Sequence, residues 1–272
     1  MTDAKTRLFC ILGRPVRHSL SPIMHNAAFK SSGINAIYLA FEPQNIAAAV
    51  EGMRELEVGG FNVTMPFKAE IIPLLGRTDP IAAQIGAVNT VVNDKGQLIG
   101  YNTDGIGAIS SLKKATKIFG KNVLLIGAGG AGKAIAHYLQ KEKAKITIAD
   151  RNMERAVLLA NSMGAKYADP QDIKSLDFFD IIINASPAGM EPNSNETPIP
   201  PKLLHKGLVV FDIVYDPLET KFLKEAKHRG CKTINGLEML LEQGYAAFGL
   251  FTGKAAPKNA MRKAVIKAMK GK

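Results

Sequence analysis

Tryptophan is absent from the chain, and cysteine occurs only twice in 272 residues. Cys10 and Cys231 lie far apart in apolar, strand-like segments, and neither has the C-x-x-C spacing of a metal or redox motif. They read as buried, reduced thiols that behave as small hydrophobes. No apolar run reaches the roughly 18–20 residues that a membrane helix needs. The N-terminal stretch Met1-Thr2-Asp3-Ala4-Lys5-Thr6-Arg7 leads into a short apolar segment that Arg14 and Arg17 soon interrupt. It lacks the apolar core and cleavage site of a secretion signal, so a cytoplasmic protein is expected. No His/Cys/carboxylate cluster has ligand spacing, and no metal is expected. Repeats, low-complexity linkers, zinc fingers and RNA-binding aromatic motifs are also missing.

What remains is ordinary for a globular protein: 46% hydrophobic and 22% charged residues. The length allows one large domain or two of common size. The net charge of +11 is spread along the chain. Its densest stretch, Lys254 to Lys272, holds seven Lys/Arg and no acid. There Ala260, Met261, Ala264, Val265, Ala268 and Met269 recur at helical spacing. That is an amphipathic helix with a solvated basic face rather than a nucleic-acid or lipid site.

The two halves read differently. The first, to about residue 101, alternates strands and helices: strands at 8–13, 36–41 and 60–63, helices at 22–32 and 46–56, and a short helix near Pro66. A hairpin follows, 87–92 and 98–101 about the turn Asn93-Asp94-Lys95-Gly96. A helix over 104–119 leads to Val123-Leu124-Leu125-Ile126, a run apolar enough for a central parallel strand buried on both faces. Strands at 145–149, 180–183 and 208–213 complete a doubly wound sheet, and helices run from Gly236 to the end. The stretch Pro192–Pro201 reads as a surface loop.

Strand 123–126 runs into Gly127-Ala128-Gly129-Gly130-Ala131-Gly132 and then a helix, the context that gives G-x-G-x-x-G meaning. The first glycine permits the turn, the second lets pyrophosphate approach the backbone, and the third lets helix and strand pack closely. The helix N-terminus offers N–H groups to the phosphates. The next strand ends at Asp150-Arg151-Asn152, with Arg155 one turn on. An acid there suits the ribose diol of NAD, an arginine the 2′-phosphate of NADP. If NADP binds, Asp150 turns outward or pairs with Arg155.

The first half also carries polar clusters that a simple core does not need. Arg17-His18-Ser19-Leu20-Ser21-Pro22 sets two hydroxyls just before a helix, where they could hold a carboxylate, or where Ser21 could merely cap the helix. In Asn62-Val63-Thr64-Met65-Pro66-Phe67-Lys68, Asn62 and Thr64 share one strand face and Lys68 follows. Asn89 lies in Gly86–Thr90, and Asp104 in Tyr101–Gly105.

Taken together, His18–Pro22, Asn62–Lys68, Gly86–Thr90, Asn102–Gly105, Gly127–Gly132, Asn184–Met190 and Gly236–Leu240 with Gln243 resemble the shikimate/quinate dehydrogenase family over nearly the whole chain. The resemblance implies an α/β substrate domain at 1–102, with helices 237–272 returning to it, and a Rossmann domain at 103–236. It implies an NADP-dependent oxidoreductase of chorismate and aromatic amino acid biosynthesis that reduces 3-dehydroshikimate to shikimate, with some NAD use. It assigns the substrate carboxylate to Ser19 and Ser21, with Tyr215 lining that end. Asn62, Thr64, Asn89, Asp104 and Gln243 would bind hydroxyls, and Lys68 and Asp104 would form the catalytic pair. Gly127, Ala128, Gly129, Gly130, Ala131, Gly132, Asp150, Arg151, Asn152, Arg155, Gly236 and Met239 would hold the cofactor. His18 reads as structural. The sequence departs from the family in two places: Asp150-Arg151-Asn152 where Asn-Arg-Thr is common, and Gly132 where many members have Ser. The implied partners are small molecules, with no nucleic acid or membrane, in a monomer or homodimer. The alternatives are a dual quinate/shikimate enzyme and a non-catalytic NADP-binding module, which would need the glycine loop but neither Lys68 nor Asp104.

Overall fold

The computed structural model describes residues 2–270. Met1, Gly271 and Lys272, the extreme ends of the expected first domain and basic helix, lie outside the described residues. The chain divides into two compact units, one running through Thr103 and resuming at Gln243, the other Asp104–Glu242.

The first unit is built on a six-stranded mixed sheet. Its strands are β1 (Arg7–Leu12), β2 (Ala36–Phe41), β3 (Gly60–Val63), β4 (Arg77–Thr78), β5 (Thr90–Asp94) and β6 (Gln97–Tyr101), in the order β2-β1-β3-β5-β6-β4. β1, β2 and β3 are parallel, so the loops after Leu12, Phe41 and Val63 leave from one edge of the sheet. Ligands bind at that edge in open α/β sheets. The helices are α1 (Ser21–Ser31), α2 (Ile46–Glu55) and α3 (Pro80–Ile85). Asn45 caps α2 by accepting from the Ala48 N–H, and Asp79 caps α3. No α-helix forms at Pro66: turns lead to a short 3₁₀ segment, Ile72–Leu74.

Phe9, Phe29, Phe248 and Phe251 pack on one another in this unit, with ring centroids 5.1–5.9 Å apart. β2 is an edge strand without a charged residue, and such an edge invites pairing with another chain. Here the side-chain amide of Asn26 bonds both the N–H and the C=O of Tyr38, at 2.8 and 2.9 Å, in place of a neighbouring strand.

The second unit holds β7 (Asn122–Ile126), β8 (Lys145–Ala149), β9 (Lys166–Ala168), β10 (Ile181–Asn184), β11 (Val209–Asp212) and β12 (Lys232–Ile234). The sheet is wholly parallel, in the order β12-β11-β10-β7-β8-β9. Its helices are α4 (Asp104–Lys113), α5 (Gly130–Lys141), α6 (Met153–Met163) and α7 (Lys221–His228). Two clusters of buried apolar side chains flank the sheet, one around Leu125, Ile135 and Ile183, the other around Leu124, Ile182 and Phe222. This burial of both faces is why β7 reads as an unbroken apolar run. A Cβ at Gly105 would meet the Tyr138 ring at 2.3 Å, so glycine there sets how closely α4 approaches α5.

The division between units falls within α8 (Gly236–Thr252), and α9 (Lys258–Lys270) follows. In α9, Met261 and Val265 are fully buried at the spacing expected, and the helix packs on α1.

Candidate active site

In the first unit the loop between β1 and α1 carries Ser19 and Ser21. Ser21 does not cap α1: it is the first helical residue, preceded by Leu20, and its N–H donates to Ser19 Oγ at 3.2 Å. The same loop passes against the end of β3, since a Cβ at Gly13 would stand 2.2 Å from Thr64 Cγ2. The Arg14 N–H also donates to the Met65 carbonyl at 2.9 Å. The start of the loop that leads to Ser19 and Ser21 is therefore drawn against Thr64 at one edge of the sheet. His18 is exposed beside them.

A buried polar chain continues from β3. Tyr38 Oη donates to Asn62 Oδ1 at 2.6 Å. Asn62 Nδ2 reaches the Asn89 carbonyl at 3.0 Å and Thr90 Oγ1 at 2.9 Å. Asn89 Oδ1 accepts the Thr103 N–H at 2.8 Å, and Thr103 Oγ1 lies 3.5 Å from Gln243 Oε1. Buried amides are costly without partners, and this network supplies them while fixing Asn62, Asn89 and Gln243 along one line. Lys68 is half-buried, and its carbonyl accepts from the Val88 N–H at 2.8 Å. The His25 ring stacks on Tyr38 with centroids 4.6 Å apart, and complete burial drives its pKa down to about 3, so it is neutral.

In the second unit Gly127 turns with φ +111°, and a Cβ there would meet the Ala185 backbone at 2.6 Å. This places the loop where β7 and β10 diverge, the switch point of the strand order. A Cβ at Gly129 would meet nothing within 4 Å, leaving open space at the start of α5. No side chain caps α5, so its first N–H groups face that space. A Cβ at Gly132 would stand 1.9 Å from the Gly127 carbonyl oxygen. These features fit a bound pyrophosphate.

Asp150 neither turns outward nor pairs with Arg155. Its carboxylate accepts the Ala128 N–H at 2.7 Å and the Asn152 N–H at 2.8 Å, which ties the glycine loop to the end of β8. Two backbone donors next to a carboxylate outcompete a flexible surface cation, and sequence spacing does not reveal them. Asn152 caps α6 by accepting from the Arg155 N–H at 3.0 Å. Arg151 is exposed, 3.7 Å from Glu196. Gly236 is required by packing, since a Cβ would lie 2.2 Å from the Ile213 carbonyl. Met239 belongs to the apolar core of this unit. Asp104 is buried at the start of α4, and Tyr215 is half-buried after β11.

Sequence reasoning gave no role to Asp212, at the end of β11. It is fully buried and accepts from Thr220 Oγ1 at 2.6 Å, Asn184 Nδ2 at 2.9 Å and the Val214 N–H at 3.1 Å. Burial pushes its pKa up to about 6 against the three donors. Asn184 in turn holds Ser186 and the Ala188 carbonyl, so one buried carboxylate orders the loops after both β10 and β11. Among the described residues no group of His, Cys, Asp and Glu could hold a metal, and no helix is long and apolar enough to cross a membrane.

A parallel sheet with the 3-2-1-4-5-6 order and a glycine loop at its switch point defines a dinucleotide-binding protein of the Rossmann class. Three family models match the chain: the shikimate dehydrogenase substrate binding domain at residues 11–91, shikimate/quinate 5-dehydrogenase at 110–214, and the shikimate 5′-dehydrogenase C-terminal domain at 236–266. A Thermococcus kodakarensis protein named shikimate dehydrogenase (NADP(+)) is 45% identical, over 99% of each chain. This chain belongs to the shikimate dehydrogenase family. Among solved structures, a shikimate dehydrogenase in complex with NADP+ superposes with a TM-score of 0.94 at 44% identity, covering 99% of this chain and 98% of that one. The Thermus thermophilus enzyme in complex with NADP(H) and shikimate gives a TM-score of 0.90 at 35% identity, over 97% of this chain and all of that one.

Proposed function

We propose that this protein catalyses the reversible NADP-dependent reduction of 3-dehydroshikimate to shikimate, a step of chorismate and aromatic amino acid biosynthesis. The observation that carries the reading is the line of amides and hydroxyls formed by the buried Asn62, Asn89 and Thr103 and the half-buried Gln243, beside a serine-bearing loop whose first residue packs against Thr64. A small polyhydroxylated acid needs such an array: neutral donors and acceptors for its hydroxyls and a separate anion-binding end. In this reading Ser19 and Ser21 take the carboxylate, and Asn62, Thr64, Asn89, Asp104 and Gln243 take the hydroxyls. Tyr215 lines the carboxylate end.

When bound, the nicotinamide supplies the hydride. The carbonyl oxygen must then gain a proton. Lys68 polarises that oxygen and donates the proton. Asp104 orients the ammonium and accepts from a substrate hydroxyl. The glycine loop holds the pyrophosphate, and Arg151 with Arg155 holds the 2′-phosphate, since planar guanidinium groups suit phosphate oxygens. Asp150, engaged by two backbone N–H groups, leaves that phosphate to the arginines. The enzyme is cytosolic in this reading and acts as a monomer or homodimer on small molecules.

The test is a set of initial rates with shikimate and quinate, each with NADP and NAD. Shikimate with NADP should give the highest kcat/KM. A higher value for quinate would make this a quinate enzyme, and no turnover with any pair would make it a binding module.

A further inference from the structure

We infer that Glu42, the residue after β2, is the positioning residue for the serine loop that takes the substrate carboxylate. The inference rests on the reading of Ser19 and Ser21 given above. Glu42 Oε1 accepts the Val16 N–H at 2.7 Å and the Arg17 N–H at 3.1 Å. Its other oxygen lies 3.4 Å from Arg17 Nε. The Val16 carbonyl accepts the Ser19 N–H at 3.0 Å, and Ser19 Oγ accepts the Ser21 N–H at 3.2 Å. A chain of three hydrogen bonds thus runs from the Glu42 carboxylate through Val16 and Ser19 to Ser21.

Few backbone bonds to other segments hold this loop. The Gly13 N–H reaches the Phe41 carbonyl at 3.3 Å, and the Arg14 N–H reaches Met65. Beyond Arg14 the loop backbone is tied to a distant segment through Glu42, and the Val16 side chain is buried. Charge-assisted bonds from a carboxylate to backbone N–H groups are short and strong, which suits an anchor. The backbone bonds also hold the Glu42 carboxyl below the usual carboxylate range, so the anchor stays charged throughout neutral pH.

An anion beside a carboxylate site is an odd choice on charge alone. Glu42 would repel the substrate unless its charge were engaged, and here Arg17 and two N–H groups engage it. Geometry and charge therefore make opposite demands, and two substitutions separate them. Glu42→Ala removes the anchor. Glu42→Gln keeps one oxygen able to accept both N–H groups and removes only the charge.

The experiment measures shikimate KM, kcat, NADP KM and melting temperature for wild type, Glu42→Ala, Glu42→Gln and Ser19→Ala. Glu42→Ala should raise shikimate KM about tenfold, the scale of one lost strong hydrogen bond. Its kcat and NADP KM should stay within about twofold. Glu42→Gln should restore the shikimate KM to within about threefold of wild type, a rescue that a charge-based role would not give. If Glu42→Ala fails to fold, Glu42→Asp replaces it; its shorter side chain should give a KM between those of wild type and Ser19→Ala. An unchanged KM in Glu42→Ala while Ser19→Ala raises KM overturns the anchor and leaves the site. A fall in kcat and melting temperature without a KM change shows mere support of the fold and also overturns it. If Ser19→Ala itself leaves KM unchanged, the carboxylate assignment fails, and the anchor role fails with it.

Discussion

The two units solve the problem of presenting polar groups at a sheet edge in opposite ways. In the first, neutral side chains do it: Asn62, Asn89, Thr90 and Thr103 bond one another in a buried network. In the second, backbone does it: Gly129 leaves open space at the start of α5, Gly127 and Gly132 let the loop pack closely, and the carboxylates Asp150 and Asp212 hold loops in place. A diphosphate can be gripped by N–H groups of any sequence, whereas a ring with several hydroxyls must be read group by group. Substitutions in the first unit should therefore alter chemistry and selectivity. Those in the second should alter cofactor affinity and stability.

The largest expected effect tests the first half of that contrast. Lys68→Ala removes the proposed acid and should lower kcat by about 10²–10⁴ with little rise in shikimate KM. Single-turnover kinetics with NADPH and 3-dehydroshikimate would read the chemical step directly. Near-wild-type turnover would take Lys68 out of the mechanism and make the first unit a binding surface alone.

Gly127→Ala tests the backbone half. It adds a methyl group to a residue at φ +111°, within 2.6 Å of the Ala185 backbone. Strain and overpacking should each cost about 1–3 kcal/mol. Titration of NADP by fluorescence should show affinity at least about tenfold weaker, while shikimate KM at saturating cofactor stays near wild type. Equal losses for both ligands would mean that the two units do not divide the work as described.

How far the sequence reveals this division depends on whether a group acts locally. The glycine loop and β7 are legible because each is shaped by a few contiguous residues. The edge strands Lys166–Ala168 and Lys232–Ile234 are three residues long and carry no usable alternation. The turns after Pro66 look helical by composition, yet Lys68 is tied to Val88 by a bond across the fold. The direction of the Asp150 carboxylate is not legible, because Ala128, whose N–H it accepts, lies 22 positions away. Glu42 follows a strand and Asp212 ends one; the Val16 and Arg17 N–H groups that meet Glu42, and the Asn184 amide and Thr220 hydroxyl that meet Asp212, lie 8 to 28 positions away and no motif marks them.

Asp212 gives a pH signature confined to the second unit. Its folded pKa of about 6 lies above the ordinary 3.8. Between those values the folded protein keeps a proton that the unfolded chain has released. The group's contribution to stability is thus greatest below about pH 4 and falls as pH rises through about 6, by about 3 kcal/mol at most. Asp212→Asn keeps an oxygen for Asn184 and Val214, and the Thr220 hydroxyl can turn to accept. Urea unfolding at pH 4, 5, 6 and 7 should show wild type losing stability relative to the variant as pH rises. A difference that does not vary with pH would rule out titration of Asp212.

The smallest effect concerns cofactor choice, where the second unit does use side chains. Arg151 and Glu196 face each other at 3.7 Å, with side chains 68% and 46% exposed. A pair so exposed contributes only about 0.2–1 kcal/mol, and salt screens it. In the proposed reading the 2′-phosphate of NADP, which carries more charge than Glu196, would compete for the same guanidinium, with Glu196 as its weak rival. Glu196→Gln should lower KM for NADP by less than about fivefold, leave KM for NAD unchanged, and lose its effect in high salt. Arg151→Ala should weaken NADP selectively and abolish the response to Glu196→Gln, because the two substitutions then act on one contact. If Glu196→Gln shifts NAD and NADP equally, Arg151 does not read the 2′-phosphate. Cofactor preference would then have to come from Arg155 or from the shape of the backbone itself.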